Sequence, residues 1–133
     1  MAATIEGQST HVGQIVKKVT VPKADIPSSS SGNNKIIGPV FEMYHKKEVT
    51  VAVRNVSGPN ITNVQIMRIF SDGVASQEGA DGLQAGPFAA ATNDGPTFAI
   101  SYNIPKFRID YEVPAATNPT TDSVVLIEVE GGY

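Results

Sequence analysis

The chain has 133 residues, with ten lysines and arginines against thirteen aspartates and glutamates, and neither cysteine nor tryptophan. That length suits one domain able to fold without staples, and the lack of cysteine excludes disulfides, thiolate metal sites and thiol catalysis together. A net charge of −3 with scattered cations speaks against a nucleic-acid partner, and no segment approaches the ~20 apolar residues of a membrane span.

Residues 1–27 read as an N-terminal arm that includes a first strand. The start, Met1 to Gln8, has no basic stretch followed by an apolar run, so no secretory signal is expected, and the protein is expected to be made and used without export through a cleaved signal. Ile15, Val16, Val19 and Val21 make 15–21 rich in β-branched residues, and Pro22, which cannot donate to a ladder, ends the strand. Lys17-Lys18, and further on His45-Lys46-Lys47, read as solvated strand edges or turns. The segment from Pro27 through four serines to Asn34 has nothing to bury and reads as a mobile loop leading to a body over 35–133.

In the body, Gly38-Pro39 interrupts a strand at a kink or bulge. Val49, Val51 and Val53 then alternate with Thr50 and Arg54, and after a turn at 57–60 the chain returns with Val64, Ile66 and Phe70 on one face beside Arg68. An antiparallel hairpin is predicted. The triplets at Asn55 and Asn60 read as turn chemistry rather than glycosylation sites. Residues 74–96 read as a long loop of Gly, Ala, Asp and Asn, a length that is uncommon without a function or an ordering partner, with a short helical turn conceivable over 85–91. Strand patterning resumes at 97–102. From Lys106 to Val113 apolar and charged residues alternate without an exception, the pattern of a strand with one face buried and one in water. After a turn-rich loop at 115–122, Val124 to Val129 is apolar on both faces, as in a central, doubly covered strand or a subunit contact.

Seven or eight strands joined by Gly and Pro turns predict an all-β fold: an antiparallel two-sheet sandwich, jelly-roll-like, with an extended N-terminal arm. Chemistry is sparse. His11 and His45 have no patterned partner for catalysis or metal binding, and no Gly-x-Ser-x-Gly elbow is present. Asp110 and Glu112 lie ~7 Å apart on one strand face, which overlaps the spacing of inverting glycosidases. Lys106 and Arg108 share that face, so a solvated, salt-laced surface is the simpler reading. Asp72, Glu78, Asp81 and Asp94 offer oxygens but lack calcium-loop spacing, and Gly79-Ala80-Asp81-Gly82 is not followed by a helix that could cradle phosphate. No catalytic residue, cofactor or metal is assigned, and the chain is read as a non-enzyme.

Three features are unneeded by a solitary sandwich: the arm, the Ala/Gly loop and the two-faced last strand. Subunit contacts are therefore expected at Ile15, Val16, Val19, Val21, Leu83, Pro87, Phe88, Val124 and Leu126. With its Ser-rich arm, the phrase Val49-Thr50-Val51-Ala52-Val53-Arg54-Asn55 returning through Asn63-Val64-Gln65-Ile66, and the closing pair at 107–111 and 124–129, the chain resembles the small β-sandwich or jelly-roll decoration (cement) proteins of tailed bacteriophage capsids. The resemblance implies a structural virion protein on the outer capsid surface, a homotrimer that clamps the major capsid protein or other virion subunits, with no nucleic acid and no membrane among its partners. The alternative is a carbohydrate- or receptor-binding module of a phage tail or fibre, which would cluster residues such as Tyr44, Tyr102, Tyr111 and Asn103.

Overall fold

Buried and more exposed positions alternate most clearly over residues 48–55 and 123–130 of the computed structural model, which describes residues 3–11, 14–26, 33–44, 46–114 and 119–132, with the side chains of 8–11 left out. Eleven strands form: β1 (Thr4–His11), β2 (Gln14–Val21), β3 (Asn34–Ile36), β4 (Val40–Glu42), β5 (Glu48–Ser57), β6 (Thr62–Ile69), β7 (Ala75–Gln77), β8 (Leu83–Gln84), β9 (Thr97–Ile100), β10 (Lys106–Val113) and β11 (Ser123–Gly132). The count exceeds the seven or eight expected because four of them are two or three residues long, too short to show a period. The serine-rich segment 27–32, His45, residues 115–118 of the predicted turn-rich loop and Tyr133 lie outside the described residues.

One sheet runs β1-β2-β11-β5-β9. The other runs β3-β10-β6-β7, with β4 also beside β10 and β8 also beside β6. Pairing is antiparallel and nested: β2 with β11, β3 and β4 with β10, β5 with β9, and β6 with β7 and β8. A chain doubled into one long hairpin and wrapped into two facing sheets gives that order, so the fold is a jelly roll with β1 added outside β2.

The inward faces supply the core: Val19 and Val21 of β2, Val49, Val51 and Val53 of β5, Val125, Ile127 and Val129 of β11, and opposite them Val64 and Ile66 of β6 with Phe107, Ile109, Tyr111 and Val113 of β10. Phe41 of β4 stacks on Phe107 at 5.4 Å between ring centroids. Each such large side chain, fully buried, contributes on the order of 2 kcal/mol. Tyr111 and Ser123 bring buried hydroxyls into this core that lie beside one another, but neither makes a well-formed hydrogen bond.

The described part of the N-terminal arm is mostly strand, closed by a 3₁₀ turn at Lys23–Asp25, with β2 an interior strand between β1 and β11. β11 is the central strand of that sheet but is covered on one face alone: Val125, Ile127 and Val129 enter the core, whereas Val124 and Leu126 lie half-buried on the outer face. The predicted Gly38-Pro39 kink is present, with β3 and β4 on either side of it, both paired to β10. A Cβ on Gly38 would lie 1.8 Å from the Ile109 carbonyl oxygen, so only glycine lets the chain pass that close. The 74–96 loop is less irregular than its composition suggests. It holds β7, β8 and two 3₁₀ turns at Ala80–Gly82 and Ala90–Thr92, and its far end is pinned to the body by reciprocal Ile61–Phe88 backbone hydrogen bonds and by Asn55 N–H to Asp94 C=O.

Two lysines read as solvated are not. Lys17 points inward from β2, passes over the Phe41 ring at 5.0 Å and donates to the Val40 carbonyl, because its stem covers apolar surface at the sheet edge while its amine reaches an acceptor. Lys46 is buried too. The charged face of β10 also departs from the expected solvated stripe. Asp110 is fully buried, accepts two hydrogen bonds from Arg108 at 2.8 and 2.9 Å, and takes the Gly38 N–H at 3.2 Å. The kink explains this: it lays backbone over Asp110 and leaves an N–H needing an acceptor.

Candidate binding groove

Where the two sheets end side by side, β9 on one and β7–β8 on the other, they leave an open cleft of about 550 Å³. Buried Ile66 and Phe98 line its apolar part; Glu78, Asp81, Gln84, Ser101 and Tyr102 supply its polar walls. Glu78 follows β7 directly and its N–H bonds the Ile66 carbonyl at 2.9 Å. Gly79 then turns the chain with φ +65°, in the left-handed region, and the 80–82 turn sets Asp81 on the rim. Gln84 Nε2 reaches across to the Thr97 carbonyl at 2.9 Å, tying the two sheet edges together.

Arg68 organises the site from behind. It shares the inward face of β6 with Val64 and Ile66, opposite Phe107, so a guanidinium enters the space between the sheets and needs a counter-charge. Glu78 supplies it: Arg68 Nε donates to Oε2 at 2.5 Å and Nη2 to Oε1 at 3.2 Å, while the Tyr102 hydroxyl donates to Oε1 at 3.0 Å. Burial pushes the Glu78 carboxyl upward, but the hydrogen bonds from Arg68 and Tyr102 outweigh it and hold it below the usual carboxylate range. Arg68 is raised by its bond to Glu78. The Tyr102 phenol is raised by burial and then by its bond to Glu78. The trio is self-neutralising, which leaves Asp81 as the uncompensated charge on the groove wall.

The residues expected at subunit contacts separate into two groups. Val19 and Val21 are fully buried in the chain's own core, and Ile15 and Phe88 pack against it. Correcting the expectation, Val19 and Val21 have no surface left to offer a partner, because β2 is flanked on both sides and its inward face meets the opposite sheet. Val124 and Leu126 face outward on the five-stranded sheet and are half-buried, with Thr20 and Lys18 as their pairing partners; Val16, paired with Glu128, is buried at 8% exposure and, like Val19 and Val21, has little surface to offer a partner. Leu83 and Pro87 are exposed, Leu83 lining the groove.

A second surface escaped the sequence reading. Tyr44, Phe70 and Val74 are 52%, 49% and 56% exposed, and Tyr44 and Phe70 border a hollow of about 320 Å³ with Ile69, Pro105 and Lys106. Of the tyrosines and asparagine proposed for a sugar-binding face, Tyr102 alone lines the groove. Tyr111 is in the core, Tyr44 is at the other hollow, and Asn103 donates to the carbonyls of Met43 and Lys46. The Asp110–Glu112 pair is committed elsewhere, Asp110 to Arg108 and Gly38, Glu112 to Asn63 Nδ2 at 3.1 Å. The side chains of His11 and His45 lie outside the described ones. Among the described residues, no three His, Asp or Glu side chains gather where they could hold a metal. An arginine at an inward strand position could have been read as a demand for a carboxylate; which carboxylate could not. No protein-family model matches the sequence, and no curated protein matches it.

Proposed function

We propose that the protein is a structural virion component, a capsid decoration protein that bridges and stabilises neighbouring shell subunits on the outer capsid surface, acting as a trimer. The observation that supports this most is the apolar group of Tyr44, Phe70 and Val74, each about half exposed, with Tyr44 and Phe70 bordering one hollow and Val74 hydrogen-bonded to Phe70 through the backbone. Exposed apolar groups gathered in one place are what a subunit contact requires. Val124 and Leu126 on the outer face of the five-stranded sheet offer a second, shallower surface, so one copy could touch two neighbours. Many modest contacts repeated by symmetry then hold an array more firmly than any one holds a copy.

The test combines light scattering on the purified chain with quantitative mass spectrometry and electron cryo-microscopy of virions from its source. Expected are a trimer, a copy number set by shell symmetry, and density for the jelly roll on the outer surface. Tyr44→Ser with Phe70→Ser should keep the fold and lower particle occupancy at least tenfold. A monomer missing from purified particles would refute the proposal.

A further inference from the structure

We infer that the cleft between β9 and the β7–β8 edge is a binding site for a neutral oligosaccharide. Its volume of about 550 Å³ lies within the range of small-molecule sites. The cleft is open at the sheet edge, which leaves room for a short chain of rings to run out of it. Tyr102, a residue 49% exposed, offers an aromatic ring beside a polar edge. Around it stand hydroxyls of Thr97 and Ser101, the Asp81 carboxylate and the Gln84 side-chain oxygen, whose amide nitrogen is already held by Thr97. Donors and acceptors interspersed beside an aromatic face match the alternating hydroxyls and C–H faces of a pyranose.

Charge and edge geometry decide against two other occupants. Glu78 is neutralised by Arg68, so Asp81 alone attracts a cation, too little to select a basic ligand. An extended peptide adding to the β9 edge would need the Thr97 carbonyl, which Gln84 occupies. Ala99 alone, two residues on and pointing the same way, would be left to pair. The two-point hold on Glu78, by Arg68 and Tyr102, fixes the Tyr102 ring before any ligand arrives, which lowers the ordering cost of binding. The inference stands on the groove and does not depend on a place in a virion.

The test is an NMR titration of the isotopically labelled full chain with cellotriose, maltotriose, chitotriose, mannotriose and a lactose-terminated trisaccharide, each to millimolar concentration. At least one is expected to shift amide resonances confined to 78–84 and 97–102. Asp81→Ala, at an exposed side chain without a partner, should weaken that binding roughly tenfold, about 1.4 kcal/mol. Tyr102→Ala should abolish it, and Tyr102→Phe, which keeps the ring and loses the bond to Glu78, should retain part of it. Should Tyr102→Ala fail to fold, Asp81→Ala and Tyr102→Phe carry the test. No response to any of the five, shifts elsewhere on the chain, binding indifferent to Asp81→Ala, or a stronger response to an oligolysine or an extended neutral peptide would each overturn it.

Discussion

Replacing Asp110 with alanine tests the reasoning about the β3–β4 kink most severely. The carboxylate side chain is 1% exposed and accepts three hydrogen bonds, two from Arg108 and one from the Gly38 N–H. Removing one partner of a buried ion pair costs about 3–5 kcal/mol, and a buried N–H left without an acceptor about 1–3 kcal/mol. Arg108 keeps 22% of its side chain in solvent and can recover some hydration, and the weaker 4.0 Å contact to the half-exposed Lys35 adds little. We therefore expect Asp110→Ala to lose about 3–4 kcal/mol. In urea, with a slope of about 2 kcal/mol/M, the midpoint should fall by about 1.5–2 M with the slope unchanged. Asp110→Asn, which keeps an acceptor for Gly38, should lose about half as much. The double variant Arg108→Met, Asp110→Leu should be more stable than Asp110→Ala, since it leaves no charge behind. If Asp110→Ala unfolds within about 0.5 kcal/mol of the parent, the carboxylate does not hold the kink.

Asn55 Nδ2 donates to the carbonyls of Pro59 and Phe88 from a fully buried side chain, so Asn55→Ala should cost about 2–3 kcal/mol and raise amide exchange at 57–60 and 88–94 first, read by hydrogen-exchange mass spectrometry. Tyr111→Phe should cost little for a buried tyrosine: the hydroxyl lies beside that of Ser123 without a well-formed hydrogen bond, and burial pushes the phenol upward, so thermal unfolding should shift by less than about 3 °C in either direction. Glu78 is held below its unfolded value, so its contribution to stability is present above the usual carboxylate pKa and disappears as pH falls through the folded value. Urea midpoints followed from neutral to acid pH should therefore decline more steeply for the parent than for Glu78→Gln, and parallel curves would refute the assignment.

Strand identity was legible because it is a local property. Phe107, Ile109, Tyr111 and Val113 alternate with charges, and Val49, Val51 and Val53 alternate with exposed residues, so each strand declares its buried face within eight residues. The Gly38-Pro39 break lies where the sequence put it, but the hairpin predicted between the 48–55 and 61–70 strands does not form: β5 and β6 lie in opposite sheets, and the turn between them crosses from one to the other. Function was not legible. Asp110 sits in an alternating charged stripe and looks solvated until the β3–β4 kink folds over it. Arg68, Glu78 and Tyr102 are separated by 10 and 24 residues and meet only because β6 pairs with β7 while β9 closes the facing sheet. Period along a strand is set by the chain's own pleat, whereas the groove and its charge balance are set by which edges end side by side, and that is decided only when two sheets pack.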